Sequence, residues 1–223
     1  MKATAIQDRM LSAMHPRHNA EPPEKWQQRK SARTRQRILD AGIDCLVEAG
    51  YAGLTTAAVA TGCEISRGAM HHHFATRLDL VAAVIDHLFY RRMSLFLDDY
   101  FASLGTRGEE EIIETATEAH WRSVHTHEYA AYLQLAVAAR SDEELAALFA
   151  PAEKRYDKVW ISEMIEAFPQ WREQWDAMKL ASDFANAAHI GMLLNEGVLG
   201  KGERMAKVRA LVTQTVAQLY GRQ

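Results

Sequence analysis

Histidines at three consecutive positions, His71-His72-His73, and a looser set at His120, His125 and His127 are the side chains here best suited to holding a metal. Imidazole is both a common metal ligand and a general base near neutral pH. Spacing argues against the triplet, because neighbours on a helix point about 100° apart and three successive imidazoles cannot converge on one ion. Helical zinc and di-iron sites place His four residues from His, or Glu three residues before it. No histidine in this chain has Glu three positions earlier. An all-helical metal-dependent enzyme built on His120, His125 and His127 is therefore the rival reading. Cys45 and Cys63 make neither a disulfide framework nor a zinc cluster, and are expected to pack as small apolar groups. Gly-x-Ser-x-Gly, P-loop and dinucleotide fingerprints are all missing. The expectation is a chain without catalytic residues, metal or cofactor.

A different chemistry is carried by Ser66-Arg67-Gly68-Ala69. A short helix opening on these residues after a tight turn is suited to entering a groove of DNA, where a guanidinium such as that of Arg67 can grip guanine O6 and N7 together. The surrounding elements must present it. A first helix is predicted from about Ala32 to Ala49, with Ile38, Gly42, Cys45, Leu46 and Ala49 as its buried stripe and Gly50 as its stop. Thr55 or Thr56 caps a second helix, which Ala57, Ala58, Val59 and Ala60 keep thin. Ser66 caps the third, which ends near His72, and Thr76 caps a fourth with the apolar stripe Leu80, Val81, Val84, Ile85, Leu88 and Phe89.

This order of residues resembles the DNA-binding domain of the TetR/AcrR family of one-component bacterial regulators. The resemblance rests on Gly50-Tyr51, Thr55-Thr56, Val59-Ala60, Ile65-Ser66-Arg67-Gly68, His73-Phe74 and Leu80, and covers residues 33–80. It implies phosphate contacts from Arg33, Thr56, His71 and Arg77, which position the protein without reading sequence. It places Ser66, Arg67, Ala69 and His72 at base edges or their sugars, with Gly68 allowing close approach. Two positions depart from the family pattern. Glu64 stands where the turn usually has Gly, and it costs roughly 1 kcal/mol if it must be left-handed, unless Gly62 takes up the bend. His71 stands where the family usually has a phosphate-binding Tyr.

Beyond residue 90 the pattern stays helical and the resemblance fades. Helices are predicted over Glu109 to His125, Tyr129 to Arg140, Ser141 to about Phe168 with Pro151 inside, Gln174 to Leu199, and Gly202 to Tyr220. Trp121, His125, Tyr132, Trp160, Met164, Phe184 and His189 are candidates to line a cavity for an apolar or amphipathic effector. The last two helices carry Ala181, Phe184, Ala188, Gly191, Met192, Asn195, Val208, Leu211, Val212, Thr215 and Leu219 at helical spacing. The family resemblance implies that these helices pair with their copies in a homodimer.

Bulk properties agree with that frame. The 223 residues are 48% hydrophobic with a formal charge of −3, so a DNA-binding face must come from local charge. Between residues 24 and 37, Lys25, Arg29, Lys30, Arg33, Arg35 and Arg37 face only Glu24. No apolar run of membrane-spanning length and no leader-like segment occurs, so a cytoplasmic protein is expected. The fold expected is all-α, an N-terminal three-helix helix-turn-helix DNA-binding domain followed by a helical-bundle ligand-binding and dimerisation domain. Residues 1–29 are expected to be a flexible tail, 30–76 the DNA-binding domain and 77–223 the remainder. The function expected is ligand-responsive repression, with double-stranded DNA, a small-molecule effector and a second copy of the chain as partners. A DNA binder without an effector is the other alternative.

Overall fold

Ile6, Met10 and Met14 repeat at four-residue spacing and give an otherwise polar segment one apolar stripe. In the computed structural model, which describes residues 2–15, 26–104, 111–167 and 169–221, this segment is α1, Lys2–Met14. Met10 and Met14 are buried, which corrects the flexible-tail expectation for these residues. The part of that tail at residues 16–25 lies outside the described residues.

Among the described residues the regular elements are all helices. After α1 come α2 (Trp26–Gly53), α3 (Thr56–Gly62), α4 (Arg67–His73), α5 (Arg77–Leu104), α6 (Ile112–Ser123) and α7 (His127–Ala138). Then follow α8 (Glu143–Ala167), a 3-10 segment Pro169–Gln174, α9 (Trp175–Leu194), α10 (Glu196–Leu199) and α11 (Glu203–Leu219). The chain divides into two compact units. One holds Leu11–Met93 and His127–Val159, and the other holds Met1–Met10, Ser94–Thr126 and Trp160–Gln223.

In the first unit, α2 begins earlier than the predicted Ala32 and breaks at Gly50, where φ 66 and ψ −174 suit a residue without Cβ. Its buried face is Ile38, Leu39, Gly42, Ile43 and Leu46. Ala49, predicted in that stripe, is exposed in the last turn before the break, and Cys45 is half-buried. Leu39 and Ile43 widen the stripe instead, as packing on more than one neighbour requires. A Cβ on Gly42 would lie 2.5 Å from Cγ2 of Val84, so any side chain there would have to displace Val84 of α5. On another side, α7 packs along α2, and His127 Nε2 lies 2.8 Å from Asp44 Oδ1.

In the second unit, α9 packs on α11 and both pack on α6. Met178, Ala181 and Met192 from α9 are buried with Met205, Val212 and Val216 from α11. Phe96 sits between Tyr100 and Trp160, with ring centroids 5.8 and 4.9 Å away. In the first unit, Pro151 is accommodated within α8.

Candidate nucleic-acid interface

The turn between α3 and α4 is set by backbone bonds. Ile65 N–H donates to Ala60 O at 3.0 Å and Glu64 N–H donates to Thr61 O at 3.2 Å. This pair of nested bonds is the Schellman closure of a helix C-terminus, and it requires a left-handed residue at the position Glu64 occupies. Glu64 meets that requirement with φ 53. Gly62 does not relieve it, being the last residue of α3. The turn is therefore built at a position where a glycine would be more stable by roughly 0.5–1 kcal/mol.

Three hydroxyls fix the helix starts around this turn. Thr55 Oγ1 accepts from Ala58 N–H at 3.1 Å, and Ser66 Oγ accepts from Ala69 N–H at 3.1 Å. Thr76 Oγ1 accepts from Asp79 N–H at 3.1 Å while Asp79 Oδ2 accepts from Thr76 N–H at 2.9 Å, a reciprocal capping box. The sequence reading found Thr76 but not Asp79, although the Thr-x-x-Asp spacing was its signal.

Three arginines then bind the backbone of the module. Arg37 Nη2 donates to Cys63 O at 2.7 Å, holding the turn from α2. Arg35 stacks on Phe74 at 4.4 Å and reaches His73 O at 3.5 Å. Arg77 donates through Nε to Leu54 O at 2.7 Å, through Nη2 to Tyr51 O at 2.7 Å and through Nη1 to the Tyr51 hydroxyl at 3.2 Å. Its guanidinium also lies 4.4 Å from the centre of the Tyr51 ring. Arg77, expected at a phosphate, has all three nitrogens facing protein acceptors, and its side chain clamps α5 to the end of α2. Likewise Arg35, half-buried, and Arg37, which stays exposed, each spend a donor on the backbone of the module. Residue type alone does not separate a staple from a surface charge, because only the reach of the folded side chain does.

What α4 shows outward is Arg67, Gly68, His71 and His72, all exposed. Spaced i, i+1, i+4 and i+5, they share one helix face. Met70 is buried on the other face, and Ala69 is half-buried. Ser66 and Arg33 are exposed and Thr56 is half-buried. A Cβ on Gly68 would meet only Ser66 Oγ, at 3.9 Å, so nothing inside the protein demands glycine there. His73 turns inward, and burial, followed by His72 and Arg35, lowers its pKa. Exposed basic side chains continue onto the first turns of α2 with Arg29, Lys30 and Arg33, and no acidic residue occurs from 26 to 39.

The expected effector residues do not form one set. Trp121, His125 and His189 meet in the second unit, with ring centroids 4.5 Å apart for Trp121–His125 and 5.4 Å for Trp121–His189. His189 Nδ1 lies 2.7 Å from His120 Nδ1. Burial, then Arg209 and His125, push the His189 pKa down to about 4. His125 Nε2 lies 2.8 Å from Glu196 Oε1, and Arg209 pairs with Glu118 beside Trp121. Trp160 packs on Phe96, Met164 is buried, and Phe184 is 37% exposed. Tyr132 belongs to the first unit. The histidines of the rival metal reading take separate partners: His189 for His120, Glu196 for His125 and Asp44 for His127. Among the described residues no group of three or more His, Cys, Asp or Glu is placed to hold a metal ion.

Comparison with known proteins converges on this segment. Residues 38–84 match the family model described as bacterial regulatory proteins, tetR family. The HTH-type transcriptional regulator CymR of Pseudomonas putida is 35% identical over 68 residues, which cover 30% of this chain and 34% of that protein. The chain thus matches about a third of the length of the curated relatives. Solved structures extend the likeness of fold. A TetR-family member from Streptomyces coelicolor A3 matches with TM-score 0.58 at 17% identity, covering 81% of this chain and 96% of that one. The multidrug binding protein EbrR, complexed with imidazole, matches with TM-score 0.53 at 19% identity, covering 81% and 93%.

Proposed function

We propose that this chain, whose residues 38–84 match the tetR family of bacterial regulatory proteins, is a ligand-responsive transcriptional repressor of that family acting as a homodimer on a palindromic operator. The observation that carries this reading is the outer face of α4, where Arg67, Gly68, His71 and His72 stand exposed over a buried Met70. In this reading Arg67 contacts a base edge, with Ser66, Ala69 and His72 beside it. Arg33, Thr56 and His71 contact phosphates, while Arg77 positions the reading helix from behind. Residues 30–76 bind DNA, and residues 77–223 carry the effector and dimer functions.

Two copies are needed because one short helix reads too few base pairs, and a two-fold dimer doubles them. The partner surface is argued from α9, α10 and α11. Leu180, Phe184 and Leu194 of α9, Val198 of α10 and Leu211 of α11 are exposed apolar side chains, the kind of surface that an isologous interface covers. The effector is a small apolar or amphipathic molecule that binds the DNA-free state more tightly, since only differential affinity shifts the equilibrium. The complex of the structural relative EbrR with imidazole supports a small-molecule role for this fold. The reading includes no catalysis and a cytoplasmic site of action, where operator DNA is found. No described helix is long and apolar enough to cross a membrane.

Selection of bound sequences from random DNA tests the proposal. Enrichment of an inverted repeat is expected. Enrichment of a single half-site without its mirror image would exclude the symmetric dimer, and no enrichment would exclude sequence reading.

A further inference from the structure

Arg91 and Arg92 are neighbours on α5 with opposite fates. Arg91 Nη2 donates to Glu128 Oε1 at 2.6 Å. Arg92 is half-buried, donates to the Tyr129 hydroxyl, and among the described residues pairs with no carboxylate. Its guanidinium carbon lies 3.8 Å from the centre of the Tyr132 ring, 4.5 Å from Tyr129, 5.2 Å from Tyr156 and 5.5 Å from Phe89. Phe149 closes the wall, 5.6 Å from Phe89 and 5.8 Å from Tyr132. The nearby carboxylate, Glu153, is engaged by the Tyr132 hydroxyl, which donates to it at 3.0 Å. Arg92 Nε is shielded from solvent and has no hydrogen-bond partner.

A guanidinium taken partly out of water needs its donors met and its charge balanced. Aromatic faces offer partial compensation. They leave Nε of Arg92 without an acceptor, in a wall of rings whose nearby carboxylate, Glu153, is turned to the Tyr132 hydroxyl. A ligand that answers this brings a planar anion to Arg92 and an apolar body to the rings. Burial raises the phenol pKa values around it, that of Tyr129 to about 12, so these groups stay neutral and do not repel an anion.

We propose that Phe89, Arg92, Tyr129, Tyr132 and Tyr156 form the effector site, and that it takes a monocarboxylate with an aromatic or compact apolar body paired to Arg92. The proposal rests on the ligand-responsive reading above and gives that ligand a chemistry. The site lies wholly in the unit that contains the reading helix. Tyr129 and Tyr132 are on α7, which packs along α2. On the same helix the Gln134 side chain is the nearest neighbour of any Cβ placed on Gly50, at 3.2 Å. A ligand that draws Arg92 toward its carboxylate repacks Tyr129 and Tyr132, and α7 carries that change to the first helix of the DNA-binding module.

Calorimetric titration of the full chain without DNA tests the site, using benzoate, phenylacetate and cyclohexanecarboxylate, with benzamide and benzyltrimethylammonium as controls. Saturable binding is expected for at least one carboxylate, about tenfold tighter than benzamide. Arg92→Met should abolish it while the far-ultraviolet dichroism and melting remain cooperative. If Arg92→Met does not fold, Arg92→Lys and Tyr132→Leu must each weaken carboxylate binding. Equal affinity for benzoate and benzamide, unchanged binding in folded Arg92→Met, preference for the ammonium ion, or no binding of any carboxylate at about 1 mM would each overturn the proposal. Adding the bound carboxylate to the complex with selected operator DNA is a separate measurement. Binding without release leaves the site standing and overturns ligand control. Release by another molecule, with no carboxylate bound, overturns the site and leaves ligand control standing.

Discussion

The helix-turn-helix module and the assembly of α6, α9 and α11 use polar side chains in different ways. In the module they hold backbone. Thr55 and Ser66 cap N–H groups, and Arg37 and Arg77 take carbonyls at 2.7 Å. In the other assembly side chains bond backbone within their own helices, as Thr117 and Thr215 do, but reach across by pairing with one another: His120 with His189, His125 with Glu196, and Glu118 with Arg209. A side chain aimed at a backbone atom has a fixed target, so its type and position are constrained together. Two side chains that satisfy each other can be replaced as a pair, including by apolar residues of similar volume. The family-model match, residues 38–84, falls in the first of these two regions.

The sharpest way to break the contrast is at Arg77. Arg77→Met removes three hydrogen bonds and takes the Arg77 donor from the Leu54 carbonyl, while the Tyr51 carbonyl keeps Leu54 N–H, so it should destabilise the protein by about 3 kcal/mol in urea unfolding. A loss no greater than that of an exposed arginine such as Arg67 would make the clamp incidental.

Much of the module was legible in the sequence for the same reason. Thr55, Ser66 and Thr76 announce helix starts because a hydroxyl cap acts over three residues, within reach of any sequence window. Glu64 and Gly62 were both legible as candidates for the strained turn position, and Glu64 is the left-handed one. Long-range partners were not legible: Arg35, Arg37 and Arg77 look like surface charge until α2, α4 and α5 are placed. The effector residues were the least readable, since Trp121, Tyr132 and Trp160 are all plausible cavity linings by type. Only tertiary packing sends Trp121 to His125 and His189, and Tyr132 to Arg92. The helix of residues 2–14 was missed because its stripe is one residue wide in a polar segment.

A second test acts on the paired region through pH. His189 is buried and kept neutral, with its pKa near 4 against 6.5 when unfolded. The unfolded chain therefore takes up a proton first as pH falls. The contribution of this group to stability is complete above pH 6.5 and is lost progressively toward pH 4, by on the order of 2 kcal/mol. Denaturation curves of His189→Gln should show a shallower decline over that window. An unchanged slope would remove His189 from the account.

Close packing between α2 and α5 gives a somewhat smaller effect. Gly42→Ala puts a methyl against Val84 and should lower stability by about 1–2 kcal/mol, seen as a lower melting temperature. The smallest effects come from the turn and the reading helix, and they separate fold from function. Glu64→Gly should stabilise the module by roughly 0.5–1 kcal/mol by relieving its left-handed backbone. Gly68→Ala should stabilise α4 by a similar ~0.5–1 kcal/mol, yet weaken DNA binding, because the new methyl faces outward. A Gly68→Ala protein that melts higher and binds DNA unchanged would mean that Gly68 has no role at the interface.

The central claim is that α4 reads bases through Arg67 while the staples behind it only hold its place. Equilibrium binding of wild-type protein and Arg67→Ala to an operator and its single-base variants tests this most directly. The account predicts a loss of about 1–3 kcal/mol on the preferred sequence, with discrimination erased at one base pair per half-site and kept elsewhere. An equal loss on every sequence, with discrimination intact, would contradict it and reduce Arg67 to a phosphate contact.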